Sequence, residues 1–141
     1  PYSLVNRSYE IGMSEISIRE KAGLLAYSPL AAGYLTGKYR NKQIPKNSRM
    51  DLFYENYPRY HNQRTYDAVD EYFNIAKKNK ISLTQLAQAF VNSRDFVTSN
   101  IIGATTMEQL KENIGSINIS LNENIVDEIN SVHEKIPNPA P

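Results

Sequence analysis

Apolar positions fall in short runs with two different periods, and each change of period marks a boundary between elements. Tyr2, Leu4 and Val5 open the chain in a strand-like run. Residues 11–22 carry a loose helical pattern through Ile11, Ile16 and Ala22, and Gly23 stands where a left-handed residue closing that helix is expected. Residues 24–27 are a short continuous apolar run, as expected of a buried strand. Further on, Thr65 is expected to cap a helix with Tyr66, Val69, Phe73 and Ala76 on one face. Ser82-Leu83-Thr84-Gln85 has the spacing at which a hydroxyl and an amide side chain satisfy each other's backbone N–H groups. Leu83, Leu86, Ala87, Phe90 and Val91 then recur at helical spacing behind it.

The pattern repeats once more toward the end. Residues 97–103 read as an apolar strand ending at glycine, and Thr106-Met107-Glu108-Gln109 repeats the capping spacing ahead of an apolar stripe of Leu110, Ile114 and Ile117. Asn122 is expected to cap a last helix bearing Ile125, Ile129 and Val132, before the breaker-rich Pro137-Asn138-Pro139-Ala140-Pro141. Residues 31–64 show no sustained period. A loop of that length commonly covers a ligand or is disordered. Strands alternating with helices predict an α/β architecture with parallel strands and a single domain over residues 1–141.

Composition narrows the function classes. Sixteen basic and fifteen acidic residues leave a net charge of +1, too little to steer the chain to nucleic acid or an anionic membrane. The absence of cysteine removes disulfides and thiolate metal sites, and no apolar stretch is long enough to cross a bilayer; the expected setting is the cytoplasm. Two isolated histidines, His61 and His133, make no metal site and are expected to be solvated or packing residues. Proline at position 1, directly ahead of a strand-like run, suggests a piece of a longer protein.

Two strand ends have the chemistry of an anion site. Tyr27-Ser28-Pro29-Leu30 runs into a glycine-bearing loop that delivers Lys38, and Ile102-Gly103-Ala104-Thr105-Thr106 runs directly into a helix start. Helix starts present unpaired N–H groups and a partial positive charge, and ligands of parallel α/β folds gather at the carboxyl ends of strands. Each segment taken alone reads equally as a plain turn or a capped helix, and neither has Rossmann or Walker spacing.

Taken together, P-Y-S-L-V-N-R at 1–7, L-A-Y-S-P-L-A-A-G-Y-L-T-G-K-Y at 25–39 and I-I-G-A-T-T-M-E-Q-L-K-E-N-I at 101–114 resemble the aldo-keto reductases, nicotinamide-dependent (β/α)8 barrels. The nearest branch is that of the Tas-like reductases and potassium-channel β subunits. The resemblance implies the C-terminal portion of a TIM barrel, about its last three strands with their helices, binding NADP(H). It implies that Tyr27 stacks on the nicotinamide, that Ser28, Leu30, Ala32, Gly33 and Lys38 line the pyrophosphate, and that Arg49 lies by the adenine. Gly103, Thr105 and Gln109 would then hold the 2′-phosphate side, and Glu112 and Asn113 reach the adenine edge. Many relatives have arginine where Thr105 stands, and a hydroxyl grips phosphate less firmly than a guanidinium fork.

The family's catalytic tyrosine, lysine, aspartate and histidine come from the other half of the barrel, so no catalytic residue is assigned to this chain, and alone it is expected to be inactive. The resemblance implies a small carbonyl substrate for the complete protein. The rival reading is a redox-sensing regulatory or docking subunit of the channel β type. Since a barrel needs about eight strands to close, the free edges predict self-association or pairing with the missing barrel half.

Overall fold

The computed structural model describes residues 1–141. Two strands, β1 (Leu24–Ala26) and β2 (Val97–Asn100), form the sheet. They pair in parallel, with Leu24 opposite Val97, Leu25 opposite Ser99 and Ala26 opposite Asn100. Six α-helices surround them: α1 (Met13–Glu20), α2 (Arg49–Phe53), α3 (Gln63–Lys78), α4 (Leu83–Asn92), α5 (Met107–Gly115) and α6 (Glu123–Lys135). Successive strand side chains point to opposite faces, so each opposed pair shares a face. Ala26 is fully buried on the side where Asn100 bonds to α4, whereas Leu25 and Ile101 are exposed on the other. One face of the sheet is therefore covered by helices and the other is bare.

The hub is α4. Ser82 accepts from the Gln85 N–H while the Gln85 side chain accepts from the Ser82 N–H, both at 3.0 Å, which is the reciprocal cap its spacing predicts. Leu83, Leu86, Ala87, Phe90 and Val91 are all buried, as the periodicity requires. In α6, Asn122 caps through the Ile125 N–H, and Ile125, Ile129 and Val132 are buried, again as expected.

Several boundaries differ from the sequence reading, each for a local reason. Residues 2–5 form a tight turn closed by the Ser3–Asn6 bridge, with a single backbone bond from Tyr2 N–H to the Tyr27 carbonyl; Tyr2, Leu4 and Val5 are buried as core residues, not as a strand. The left-handed residue ending α1 is Lys21, not Gly23. Gly23 is required by packing instead, because a Cβ there would lie 1.7 Å from the Thr98 hydroxyl oxygen on β2. The cap of α3 is Asn62, whose side chain accepts from Thr65 N–H; Thr65 is buried one turn inside and donates to the Pro139 carbonyl. The second strand stops at Asn100, short of Gly103.

Residues 31–64 are built from short 3-10 segments at Ala31–Thr36 (broken at Ala32 and Gly33), Arg40–Lys42, Tyr54–Asn56 and Pro58–Tyr60, together with α2. Tyr34, Leu35, Tyr39, Met50 and Tyr60 anchor this segment in the core, which is why a region without period is still ordered. Arg40 ties it to α3, bonding to Asp70 at 2.5 Å with its guanidinium 3.5 Å from the Phe73 ring centre. The proline-rich tail is strapped down as well: Ala140 N–H bonds to the Val5 carbonyl, and the Asn138 side chain accepts from Arg7 N–H.

A buried ion pair fixes the start of the chain. Arg7 donates to both carboxylate oxygens of Glu10, at 2.8 and 2.7 Å, and Tyr2 donates to one of them. Burial works against the Glu10 charge, but the bonds from Arg7 and Tyr2 outweigh it and hold the carboxyl below its ordinary 4.5. A carboxyl lowered in this way contributes stability above its ordinary value and loses it as the pH falls through the lowered native one. Melting temperature is therefore expected to drop in acid below pH 4.5, and Glu10→Gln to flatten that dependence. The variant should also lose about 2 kcal/mol near neutral pH, less than a fully buried pair would cost when broken, because Glu10 keeps 26% of its side-chain exposure.

Candidate functional site

Parallel pairing carries both strand ends to the same side. Ile101 N–H bonds to the Ala26 carbonyl at 2.7 Å, so the chain leaves β1 through Tyr27 and Ser28 beside the place where it leaves β2 through Ile102 and Gly103. The N–H groups of Ser28, Leu30, Gly103 and Ala104 find no acceptor within the chain.

On the β1 side the backbone turns left-handed at Ser28 (φ 57°), Ala31 (49°), Ala32 (54°) and Gly33 (100°). Left-handed residues in close succession make concave turns that present N–H groups to an anion. Gly33 is needed twice over. Its φ is one that side chains rarely adopt, and a Cβ there would sit 3.0 Å from Lys38 Cε and 3.2 Å from Nζ. The missing side chain lets Lys38 fold back over this turn, with its ammonium 5.1 Å from the Tyr39 ring centre. Leu30 is partly buried against the core, and Tyr27 is 48% exposed with a ring that stacks on no other aromatic side chain of the chain.

On the β2 side, Gly103 has open space where a Cβ would stand, and its carbonyl accepts from Asn113 Nδ2 at 3.1 Å. Thr106 caps α5 through the Gln109 N–H, but Gln109 Oε1 reaches back one residue further than a capping box predicts, accepting from both the N–H and the hydroxyl of Thr105. Thr105 and Gln109 are exposed at the helix start, while Glu112 is half-buried and accepts from the Ser82 hydroxyl at 2.6 Å. Arg49 lies on α2, exposed, donating to the Tyr57 hydroxyl. The structure thus brings Tyr27, Ser28, Leu30, Ala32, Gly33 and Lys38 into one loop beside Gly103, and Thr105 and Gln109 onto the adjoining helix start. Glu112 and Asn113 instead contact Ser82 at the start of α4, Gln88 and the Gly103 carbonyl.

One group of residues, Asn113 apart, was invisible to the sequence reading. Asn100 Nδ2 donates to Gln88 Oε1 at 2.7 Å and to Asn92 Oδ1 at 2.9 Å. Gln88, fully buried, approaches Asn113, and the Ser116 hydroxyl donates to the Asn113 carbonyl. These amides tie β2, α4 and α5 to the Gly103 loop. The only available signal was polar residues at the helical spacing of buried neighbours. The expected stripe of Leu110, Ile114 and Ile117 does not face the core: Ile114 and Ile117 are 56% and 68% exposed, and Asn113 and Ser116 are buried in their place. An open cleft of about 270 Å³ lies among Asn92, Asn100, Ile102 and Ile117, and no residue of the β1 loop lines it.

The family model described as the aldo/keto reductase family matches residues 1–134. The chain belongs to that family. It is 46% identical to the protein Tas of Escherichia coli over 141 residues, all of this chain and 40% of Tas. It is 39% identical over 121 residues to a probable voltage-gated potassium channel subunit beta of rice, covering 82% of this chain and 36% of that one. The structure superposes on a glycerol dehydrogenase from Gluconobacter oxydans with a TM-score of 0.76 at 22% identity, over 98% of this chain and 42% of that one. The chain thus spans about 40% of the length of Tas, and its fold is a partial (β/α)8 barrel.

Asn113→Ala is expected to cost about 1–3 kcal/mol, because it leaves the amide of the fully buried Gln88 without its Asn113 partner, whereas Gln109→Ala, on the exposed side of the same helix, should stay within about 0.5 kcal/mol. Urea unfolding of the two variants beside the parent chain measures the difference.

Proposed function

We propose that this chain is the cofactor-holding portion of an NADP(H)-dependent aldo-keto reductase. The observation that carries this reading is the convergence at the paired strand ends: a left-handed turn with Lys38 folded over Gly33 on one side, and open backbone at Gly103 ahead of a helix start on the other. These residues suit a dinucleotide. The β1 loop offers N–H groups and one ammonium to a pyrophosphate, Tyr27 offers a free ring face, and Thr105 and Gln109 offer side chains at the positive end of α5. Bound there, the nicotinamide would supply hydride for a carbonyl substrate or accept it from an alcohol.

The chain's own task is to bind and orient. No residue in it is assigned the proton-transfer role, and the 141 residues alone are proposed to turn over no carbonyl. In the complete protein, the bare sheet face bearing Leu25 and Ile101 would be covered by the rest of the barrel; by itself the chain would self-associate through it. A second reading, a redox-sensing subunit, draws on the similarity to the channel β protein; rapid carbonyl turnover by the complete protein would speak against it.

Fluorescence titration of the 141-residue chain is expected to show NADPH binding weaker than micromolar, since much of the nicotinamide pocket is lacking. Lys38→Ala should weaken it about tenfold further, as loss of a charged phosphate contact does. Thr105→Arg should raise the preference for NADPH over NADH by about tenfold by adding a guanidinium fork. Unchanged affinity in both variants would remove the phosphate assignments.

A further inference from the structure

Two arginines and two tyrosines alternate along the 31–64 loop in space. The Arg49 guanidinium stands 5.8 Å from the Tyr57 ring centre, Tyr57 lies 6.4 Å from Tyr60, and the Arg59 guanidinium stands 5.0 Å from the Tyr60 ring centre. Arg49, at one end of this row, is the cation that the family resemblance sets by the adenine. Arg59, at the other end, has no part in the cofactor reading and enters none of the ion pairs of the chain. Tyr60 gives it a fixed platform: the ring is 3% exposed and stacks on the buried Tyr34 with centres 5.4 Å apart. A guanidinium resting on a ring is held in place while its N–H groups stay open to a ligand.

The Arg59 end of the row lies beside the exit from β1. Tyr2 N–H bonds to the Tyr27 carbonyl, so the backbone of Pro1 and Tyr2 runs along that exit. Burial lowers the Pro1 amino group, and the nearby Arg59 charge lowers it further. Burial likewise raises the Tyr60 hydroxyl, with Arg59 opposing the rise and Tyr27 adding to it. Arg59 and Tyr27 thus stand close to the same buried ring. The surrounding charge has one sign: from Lys38 to Arg64 the chain carries seven Lys and Arg against two Asp and Glu, within a chain of net charge +1. Such an excess draws anions to the loop.

We propose that Arg59 is a specificity-determining residue that selects carbonyl substrates carrying an anionic group, a carboxylate or a phosphate. The anion contact stands on the geometry of the row, and its being a substrate contact rests on the cofactor reading above. With the nicotinamide on Tyr27, a carbonyl held over it would carry its anionic end toward Arg59. The guanidinium fork matches two oxygens of either group, so the contact orients the substrate as well as attracting it. Two rings separate Arg59 from Arg49, which keeps the substrate anion and the adenine end of the cofactor on different cations.

NMR of the 141-residue chain, following the arginine side-chain N–H signals and the Tyr27 ring at constant ionic strength, tests this. The probes are levulinate against methyl propyl ketone and hydroxyacetone phosphate against hydroxyacetone; each pair shares its carbonyl and differs in the anion. The charged member of at least one pair is expected to shift Arg59 and to bind about tenfold more tightly than its neutral partner, the scale of one charge-assisted hydrogen bond. Whichever pair shows the larger difference names the group as carboxylate or phosphate. Arg59→Gln should erase the difference while NADPH affinity stays, and Arg59→Lys should restore more of it for phosphate than for carboxylate. Saturating NADPH should leave the Arg59 response in place. Equal binding of charged and neutral probes, shifts just as large at the exposed Arg64, an undiminished difference in the glutamine variant, or displacement of the probe by NADPH would each overturn the proposal. If anions bind at Arg59 as expected while NADPH leaves the Tyr27 ring unmoved, the anion site stands and the cofactor reading falls.

Discussion

The parallel pairing of two very short strands is the constraint on which the rest depends. β1 contributes only Leu24–Ala26 and β2 only Val97–Asn100, and residues 27–96 separate them in the chain. So few ladder bonds do not hold a sheet by themselves. The support comes from α4, buried nearly all round, which packs on the covered face and grips β2 through Asn100, Gln88 and Asn92. Buried amides are costly unless they are paired, so a paired set favours one arrangement over its neighbours. That register places the loop after Ala26 beside the loop after Asn100, and so brings the two halves of the candidate site together.

The same geometry accounts for apolar residues in exposed places. Leu25 and Ile101 stand on the bare face of the sheet, Ile11, Met13 and Ile16 on the outside of α1 and the turn before it, Ile114 on α5 and Ile117 just after it. In α1 the buried position is Ser17, bonded to the Tyr9 hydroxyl, so that helix packs its polar side inward. Apolar surface left open at both flanks and on one face of a sheet suits a partial barrel, and agrees with a chain that spans 40% of Tas.

The loop between β1 and α3 joins stability to function. Its order comes from tyrosines and not from regular secondary structure: Tyr34, Tyr39 and Tyr60 are buried, and His61 bridges Tyr34 to Tyr54. Arg40 fastens the loop to α3 through Asp70 and Phe73, close to Lys38 in sequence. The backbone at Lys38 is held while its ammonium is left free of an ion pair, and the glycine at 33 leaves room for that ammonium above the turn.

By itself the sequence determined the helices whose apolar period and caps agree, α4 and α6 above all, and the existence of both strands, because these depend on neighbours within a few positions. The α/β class and the family were legible too, the latter in three separated motifs. Only the tertiary structure decided matters of long-range contact. Asn62 and not Thr65 caps α3 because Thr65 is needed by the Pro139 carbonyl, far along the chain. Residues 2–5 turn back instead of extending, and the stripe on α5 faces outward because Asn113 and Ser116 face in. Asn113, which the family resemblance sets at the adenine edge, also holds the Gly103 carbonyl, a contact that no local pattern encodes. Periodicity records which side of a helix is apolar, but burial is set by what lies opposite, and that is fixed only when distant segments meet.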